Sequence, residues 1–250
     1  EVAERLGIDQ NKALSREQIA NLLNGNRADG GDIEGKRKVK ATQDKGRNGF
    51  VDLCFSADKS VSVAYAFAPT EAERHVLIQA HRDAVDSAMR YIEKEIAFAS
   101  KGCSGQDGFE PGSMGWIKFD HYTSRATLAV SSDDKGNKVL TFAKDNEPRD
   151  GETQLVRPNI AGDPNLHTHV AVPNMVLTES GRVGALDFDR LNGRIKEFGA
   201  AYQAFLATNL RRSGVDVVLD EKTGAARLPA IPDKVRHAFS KRTRDAYETA

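Results

Sequence analysis

Strand-like and helix-like periods follow one another along this 250-residue chain without the strict strand–helix–strand alternation that a parallel sheet requires. Short alternating segments joined by turns give antiparallel strands, and two long segments of 3.6-residue period give helices that must bury an apolar stripe against them. The fold class this order imposes is α+β: a central antiparallel sheet flanked by helices.

The strand candidates are specific. FVDLCF (50–55) alternates Val51, Leu53 and Phe55 with Asp52 and Cys54, the pattern of a half-buried strand carrying an unusual aspartate. GWIKFDHYTSR (115–125) reads as a strand ending at His121, TLAVSS and KVLTFAK joined by DDKGN as a hairpin, PNLHTHVAVPN (164–174) as a further strand, and VDVVLDEKTGAARLP as a second hairpin. ESGRV (179–183) is a tight turn. Helical spacing covers 2–8, then 14–24 with a capping box of Ser15 and Gln18. From Thr70 to about Ala97, Leu77, Ala84, Val85, Ala88, Ile92 and Ile96 recur at helical positions. His75 and His81 lie on that helix but are not i,i+4 partners, so they read as surface or boundary residues. Residues 186–214 form a second long amphipathic helix stopped by Gly214, and the final segment from 232 is helical. Glycine and proline make 100–113 a loop.

Charge excludes a whole-molecule field: Lys plus Arg and Asp plus Glu number 36 each, so any basic site is local. The local candidate is 36–49, with six basic residues against one acid. Its plainest reading is a solvated loop. Cys54 and Cys103 are not in metal-knuckle spacing, and two cysteines in a chain of this size fit a reducing compartment. No apolar run approaches the ~20 residues of a membrane span, and no secretion signal opens the chain. A cytoplasmic protein with no membrane insertion is expected. The chain begins at Glu1, inside an apparent helix, which reads as a fragment or processed product.

The sharpest chemical signal is LHTHV. Side chains alternate across a strand, so His167 and His169 share one face and Thr168 points to the other. A lone strand histidine is usually a hydrogen-bonded core residue. Two on one face are different, because packing gives no reason to set two titratable rings together and their repulsion when protonated is a cost. A metal removes that cost, and three protein ligands with an open position mark catalytic rather than structural sites. Of the remaining histidines, His121, at the end of a neighbouring strand, is the one that can be placed as the third ligand.

Read together, VDLCFSADKSVS (51–62), FDHYTSR (119–125), DPNLHTHVAVPNMV (163–176) and HAFSKRTR (237–244) resemble the motifs of MobF-type conjugative relaxases, the TrwC/TraI family of the histidine-hydrophobe-histidine endonucleases. The resemblance implies a palm-like antiparallel sheet flanked by helices, and 1–250 as one relaxase catalytic domain without its N-terminal tyrosine segment or a C-terminal helicase. It implies site- and strand-specific nicking of single-stranded or hairpin DNA at a plasmid transfer origin, by tyrosine attack on phosphorus that leaves the 5′ end as a phosphotyrosine. By position, His121, His167 and His169 would hold a divalent ion (Mg²⁺, Mn²⁺ or Zn²⁺), Asp52 would match the family's acidic residue near the tyrosine, and the basic segment would grip hairpin DNA. A type IV coupling protein and secretion channel are the further partners implied.

The chemistry of these residue types fits those roles. A cation held by imidazoles neutralises charge growing on nonbridging phosphate oxygens. A tyrosine of pKa about 10 needs a base at neutral pH, and Asp52 is the candidate; its alternative is to anchor a metal-bound histidine. Phosphate contacts are expected from Lys36, Arg37, Lys38, Lys40, Lys45 and Arg47, with Lys241, Arg242 and Arg244.

The chain departs from the family pattern in several places. The family's nucleophilic tyrosines lie near the N-terminus, but the first tyrosine here is Tyr65, so the nucleophile is expected upstream of residue 1. YIEK (91–94) mimics the helix of rolling-circle initiators, yet it precedes the two-histidine motif instead of following it. Tyr122 adjoins a candidate ligand and should point away from the metal. A hairpin is inserted between His121 and His167, and Thr168 stands where a bulky hydrophobe is usual. Two alternatives remain: a rolling-circle initiator or transposase of the same superfamily, distinguished by where its tyrosine lies, and a non-catalytic metal-containing DNA-binding module, which predicts a closed four-ligand site.

Overall fold

The computed structural model describes residues 2–9, 11–36, 49–102, 106–124, 129–132, 138–141, 162–187 and 190–240. In chain order the elements are α1 (Val2–Arg5), α2 (Arg16–Leu23), β1 (Phe50–Ser56), α3 (Lys59–Ala66), α4 (Glu71–Ile96), β2 (Phe98–Ser100), β3 (Phe109–Ser113), β4 (Ile117–Thr123), β5 (Ala129–Ser132), β6 (Lys138–Thr141), β7 (Pro164–Pro173), β8 (Val176–Thr178), β9 (Val183–Gly184), α5 (Ile195–Arg212), β10 (Val218–Leu219), β11 (Ala226–Arg227) and α6 (Asp233–Ala238). This is the α+β arrangement the sequence pattern imposes.

β7 organises the molecule. It lies between β1 and β4, antiparallel to both. One face of this sheet is packed by helices: Val51, Leu53 and Phe55 of β1 and Leu166, Val170 and Val172 of β7 join one hydrophobic cluster. The same cluster takes in Leu77, Val85, Ala88, Met89 and Ile92 of α4 and Phe198, Tyr202, Leu206 and Leu210 of α5. Burying each large apolar side chain contributes about 1.5–3 kcal/mol, so this layer dominates the stability of the sheet. A smaller cluster of Leu6, Leu22, Ala28, Ile33, Met175, Leu177 and Val183 receives the partly buried Ile117 of β4 and ties α1 and α2 to the β8–β9 hairpin.

Local signals explain the helix starts. The Thr70 hydroxyl accepts the Glu73 amide at 3.2 Å, and the Glu73 carboxylate accepts the Thr70 amide at 3.1 Å, the reciprocal cap that opens α4. The predicted Ser15–Gln18 box caps α2 in the same way. Both anticipated hairpins are present, as β5–β6 and β10–β11.

The structure corrects several expectations. Residues 100–113 are not simply a loop: β2 and β3 pair within a four-stranded sheet ordered β2-β3-β8-β9. Gly112 hid this strand, yet close packing requires glycine there, because a Cβ would sit 2.5 Å from the Leu177 carbonyl oxygen. The strand at 115–125 does not end at His121 but continues to Thr123 through a register shift. The first helix covers only Val2–Arg5, and the second long helix starts at Ile195, not near 186. Of the final segment, α6 is described, and 241–250 lies outside the described residues. Among the described residues no helix is long and apolar enough to cross a membrane.

Candidate metal centre

The face of the central sheet opposite α4 and α5 carries the three predicted ligands. His121 stands across from His167 in the β4–β7 register, and His169 is two residues further along β7, on the same face. The ring centroids form a near-equilateral triangle of 5.1, 5.1 and 5.2 Å. One ligand nitrogen from each ring lies within 4.8 Å of the others, and among the described residues no other group of three or more His, Cys, Asp or Glu comes together in this way.

Neighbouring groups orient two of these rings. The His169 Nδ1 lies 2.7 Å from the Asp52 carboxylate, and the His167 Nδ1 lies 2.8 Å from the Asn165 carbonyl oxygen. A carboxylate and a carbonyl oxygen are acceptors, so each Nδ1 is assigned as the donor, which leaves the Nε2 of each ring as the ligand atom it can offer. Burial holds the His167 pKa below its ordinary value; the Asn165 carbonyl opposes this shift, and repulsion from His121 and His169 adds to it. The neutral form that can ligate is thereby favoured. Three imidazole nitrogens with no fourth member of the group among the described residues fit a divalent ion with an open position, and do not fit a closed structural site. Asp52, on β1, is half exposed and touches His169 directly.

The opposite face of β7 holds a second polar cluster that the sequence reading missed. His81 is not a surface or boundary residue: it is 0 % exposed. Its Nδ1 lies 2.7 Å from the Tyr202 hydroxyl and its Nε2 2.8 Å from the Thr168 hydroxyl. Thr168 Oγ1 donates to Asp120 at 2.7 Å, and Arg82 Nε donates to the other Asp120 oxygen at 2.8 Å. The alternation that places Thr168 behind the histidines is readable in the sequence. Its partners, 87 residues away on α4 and 48 away on β4, are not.

Among the described residues the tyrosines do not converge on the histidines, and Tyr247 lies outside them. Tyr122 stacks on Tyr65 of α3, with 5.4 Å between ring centroids, and alternation puts it on the other side of β4 from His121. Tyr91 donates its hydroxyl to Glu197 of α5, which places it in the helix layer as a border residue. Tyr202 is buried against His81. Of the expected phosphate-binding residues, Lys36 turns its amine onto the Gly25 carbonyl, while Arg37, Lys38, Lys40, Lys45, Arg47, Lys241, Arg242 and Arg244 lie outside the described residues.

Comparison with known proteins finds a family and relatives over almost the whole chain. The family model described as TrwC relaxase matches residues 1–250. The multifunctional conjugation protein TraI of Escherichia coli is 28% identical over 253 residues, which cover 98% of this chain but 12% of that protein. The chain thus spans about an eighth of the length of this relative. The metal-bound structure of conjugative relaxase TrwC in complex with oriT DNA superposes with a TM-score of 0.72 at 27% identity, covering 99% of this chain and 70% of that one. TrwC complexed with a 27-mer DNA comprising the recognition hairpin and the cleavage site gives a TM-score of 0.71 at 27% identity, covering 98% and 72%.

Proposed function

The chain belongs to the TrwC relaxase family, and on that premise we propose that it is the catalytic core of a conjugative relaxase, a nickase and strand transferase acting on single-stranded DNA at a plasmid transfer origin. The observation that carries this reading is the histidine triangle on the open face of the sheet, with its ligand nitrogens within 4.8 Å of one another. Two TrwC structures support it, one metal-bound with oriT DNA and one with a 27-mer DNA comprising the recognition hairpin and the cleavage site.

His121, His167 and His169 would hold the divalent ion, with Mg²⁺, Mn²⁺ and Zn²⁺ the candidates. When bound, the ion supplies positive charge against the nonbridging oxygens of the scissile phosphate. Asp52 fixes the tautomer and direction of His169, and we assign it also the proton of the attacking tyrosine hydroxyl. In the reaction a tyrosine oxygen–phosphorus bond forms, the bond from phosphorus to the 3′ oxygen breaks, that oxygen leaves as a hydroxyl with a proton replacing the one tyrosine gave up, and the 5′ end stays on the protein. We place the attacking tyrosine upstream of residue 1; the engagement of Tyr65, Tyr91, Tyr122 and Tyr202 away from the histidine face supports this reading, and Tyr247 lies outside the described residues. The basic segment around 36–47, with Lys241, Arg242 and Arg244, would grip the DNA backbone, including hairpin DNA beside the nick. Residence in the cytoplasm, and hand-over of the nicked strand to a type IV coupling protein and secretion channel, complete the proposal.

The test is a nicking assay on supercoiled plasmid carrying the cognate origin, with Mg²⁺ or Mn²⁺, comparing this chain with one extended upstream. Nicking with covalent protein–DNA attachment by the extended chain alone supports the reading. Nicking by residues 1–250 alone places the nucleophile inside them and favours the replication-initiator alternative. Metal and DNA binding without nicking by either chain favours the non-catalytic module.

A further inference from the structure

We infer that the Thr168–Asp120 hydrogen bond, within the chain Tyr202–His81–Thr168–Asp120–Arg82, positions His121 against the other two ligands, which makes Thr168, the residue between the two strand histidines, a positioning residue of the metal centre. This rests on the reading that the three histidines hold a divalent cation. Thr168 occupies a place that packing alone would give to a hydrophobe, and it is 1% exposed against the helix layer. A buried hydroxyl needs partners, and this one has two of fixed direction. Thr168 has a single hydroxyl proton, and Asp120 takes it, so the His81 Nε2 must be the donor to Thr168. The neutral His81 ring then accepts at Nδ1, and Tyr202 is the donor there. Each hydrogen bond from Tyr202 to Asp120 then has a defined donor, running from α5 through α4 and β7 to β4.

The far end of this chain lies beside the ligand that most needs holding. β7 is central and flanked on both sides, so its backbone pairing fixes His167 and His169. β4 pairs with β7 alone among the described strands, and its register shifts between His121 and Thr123. A bulge breaks the regular ladder and re-aims side chains. Asp120 pairs across from Thr168 immediately before that point, and the next pair is His121 with His167. The Asp120 carboxylate accepts from Thr168 at one oxygen and from Arg82 at the other, which fixes its direction. The side-chain tie from Thr168 to Asp120 therefore sets how far β4 stands from β7 where His121 must meet the other rings.

The experiment is a Mn²⁺ titration, with free ion followed by electron paramagnetic resonance, of the wild-type chain and the variants T168V, T168S and H167A, each checked for folding by circular dichroism. T168V keeps the shape and removes the hydroxyl; it should bind Mn²⁺ roughly 10-fold or more weakly, the range for losing an outer partner of a ligand. T168S restores the hydroxyl and should recover affinity close to wild type. A folded T168V with wild-type affinity overturns the inference, as does a T168S that loses as much as T168V, because the methyl group would then be what matters. If T168V does not fold, D120A on the edge strand replaces it, with the same loss expected and wild-type affinity overturning. A wild-type chain that binds Mn²⁺ no better than H167A overturns the cation reading itself, which separates that failure from failure of the positioning role.

Discussion

The two faces of β7 both carry histidine chemistry, and they treat it in opposite ways. On the helix face His81 is sealed in, with both ring nitrogens engaged by neighbouring side chains. On the open face three rings crowd to about 5 Å between centroids, and the nitrogens of His167 and His169 that are not held by Asn165 and Asp52 remain to ligate. A single histidine with two satisfied nitrogens specifies a core; several histidines with satisfied outer nitrogens and convergent inner ones specify a ligand set. Hydrogen-bond bookkeeping, more than burial, separates the two uses, since His167 is itself only 8% exposed.

The largest expected effect breaks the open face. In His167→Ala the set loses its most buried ligand, and divalent-ion stoichiometry by calorimetry should fall from one site per chain to none. An unchanged stoichiometry would sink the ligand assignment. Asp52→Asn is the next step down: the amide oxygen still accepts the His169 Nδ1–H, so ion binding should survive. Nicking by an upstream-extended chain should slow by about 10²–10⁴-fold, the usual contribution of a general base. Full activity in that variant would reduce Asp52 to an orienting group.

On the helix face the corresponding test is pH. Burial drives the His81 pKa down from 6.5 to about 4, with the charges around it as smaller influences. The folded state therefore prefers the neutral ring. His81 contributes its full stability above about pH 6.5, and that contribution is lost as pH falls toward 4. A difference of 6.5 − 4 = 2.5 units, at about 1.36 kcal/mol per unit, corresponds to about 3 kcal/mol. Urea denaturation across pH 4 to 7 should show this slope, and His81→Gln should flatten it. An equal slope in the variant would assign the acid sensitivity to other groups.

How far the sequence revealed each face follows from the range of the interactions involved. Strand alternation is local, so it placed His167 with His169 and Thr168 behind them, and the turn signals brought β4 close enough to add His121. The His81 cluster depends on contacts across 87 and 121 residues, and on a register between β4 and β7 that no local pattern encodes. His81 therefore reads as a boundary residue in the sequence although the apolar period around it is that of the buried helix face. β3 was hidden because Gly112, needed for close approach to Leu177, looks like a loop residue. α3 left a weaker trace: Asp58 caps it by accepting the Ser60 amide at 2.8 Å, the capping pattern of a short helix between two stronger elements.

The mildest test sharpens the comparison with a single oxygen. Tyr202→Phe keeps the ring packed against Phe55 and His81 and removes only the donor to the His81 Nδ1. Burial pushes the Tyr202 pKa upward, so the hydroxyl remains a donor at every working pH. Losing it leaves a buried imidazole acceptor without its partner, at a cost of about 1–3 kcal/mol in unfolding free energy. The His81 Nε2–H still donates to Thr168, and Thr168 still donates to Asp120, so the tie to β4 is intact. Tyr202→Phe should therefore lower the urea midpoint while leaving Mn²⁺ affinity close to wild type, whereas T168V lowers the affinity. If Tyr202→Phe weakened Mn²⁺ binding as much as T168V, the two faces of β7 would be coupled through the whole helix layer, and the division at the Thr168–Asp120 bond would have to be abandoned.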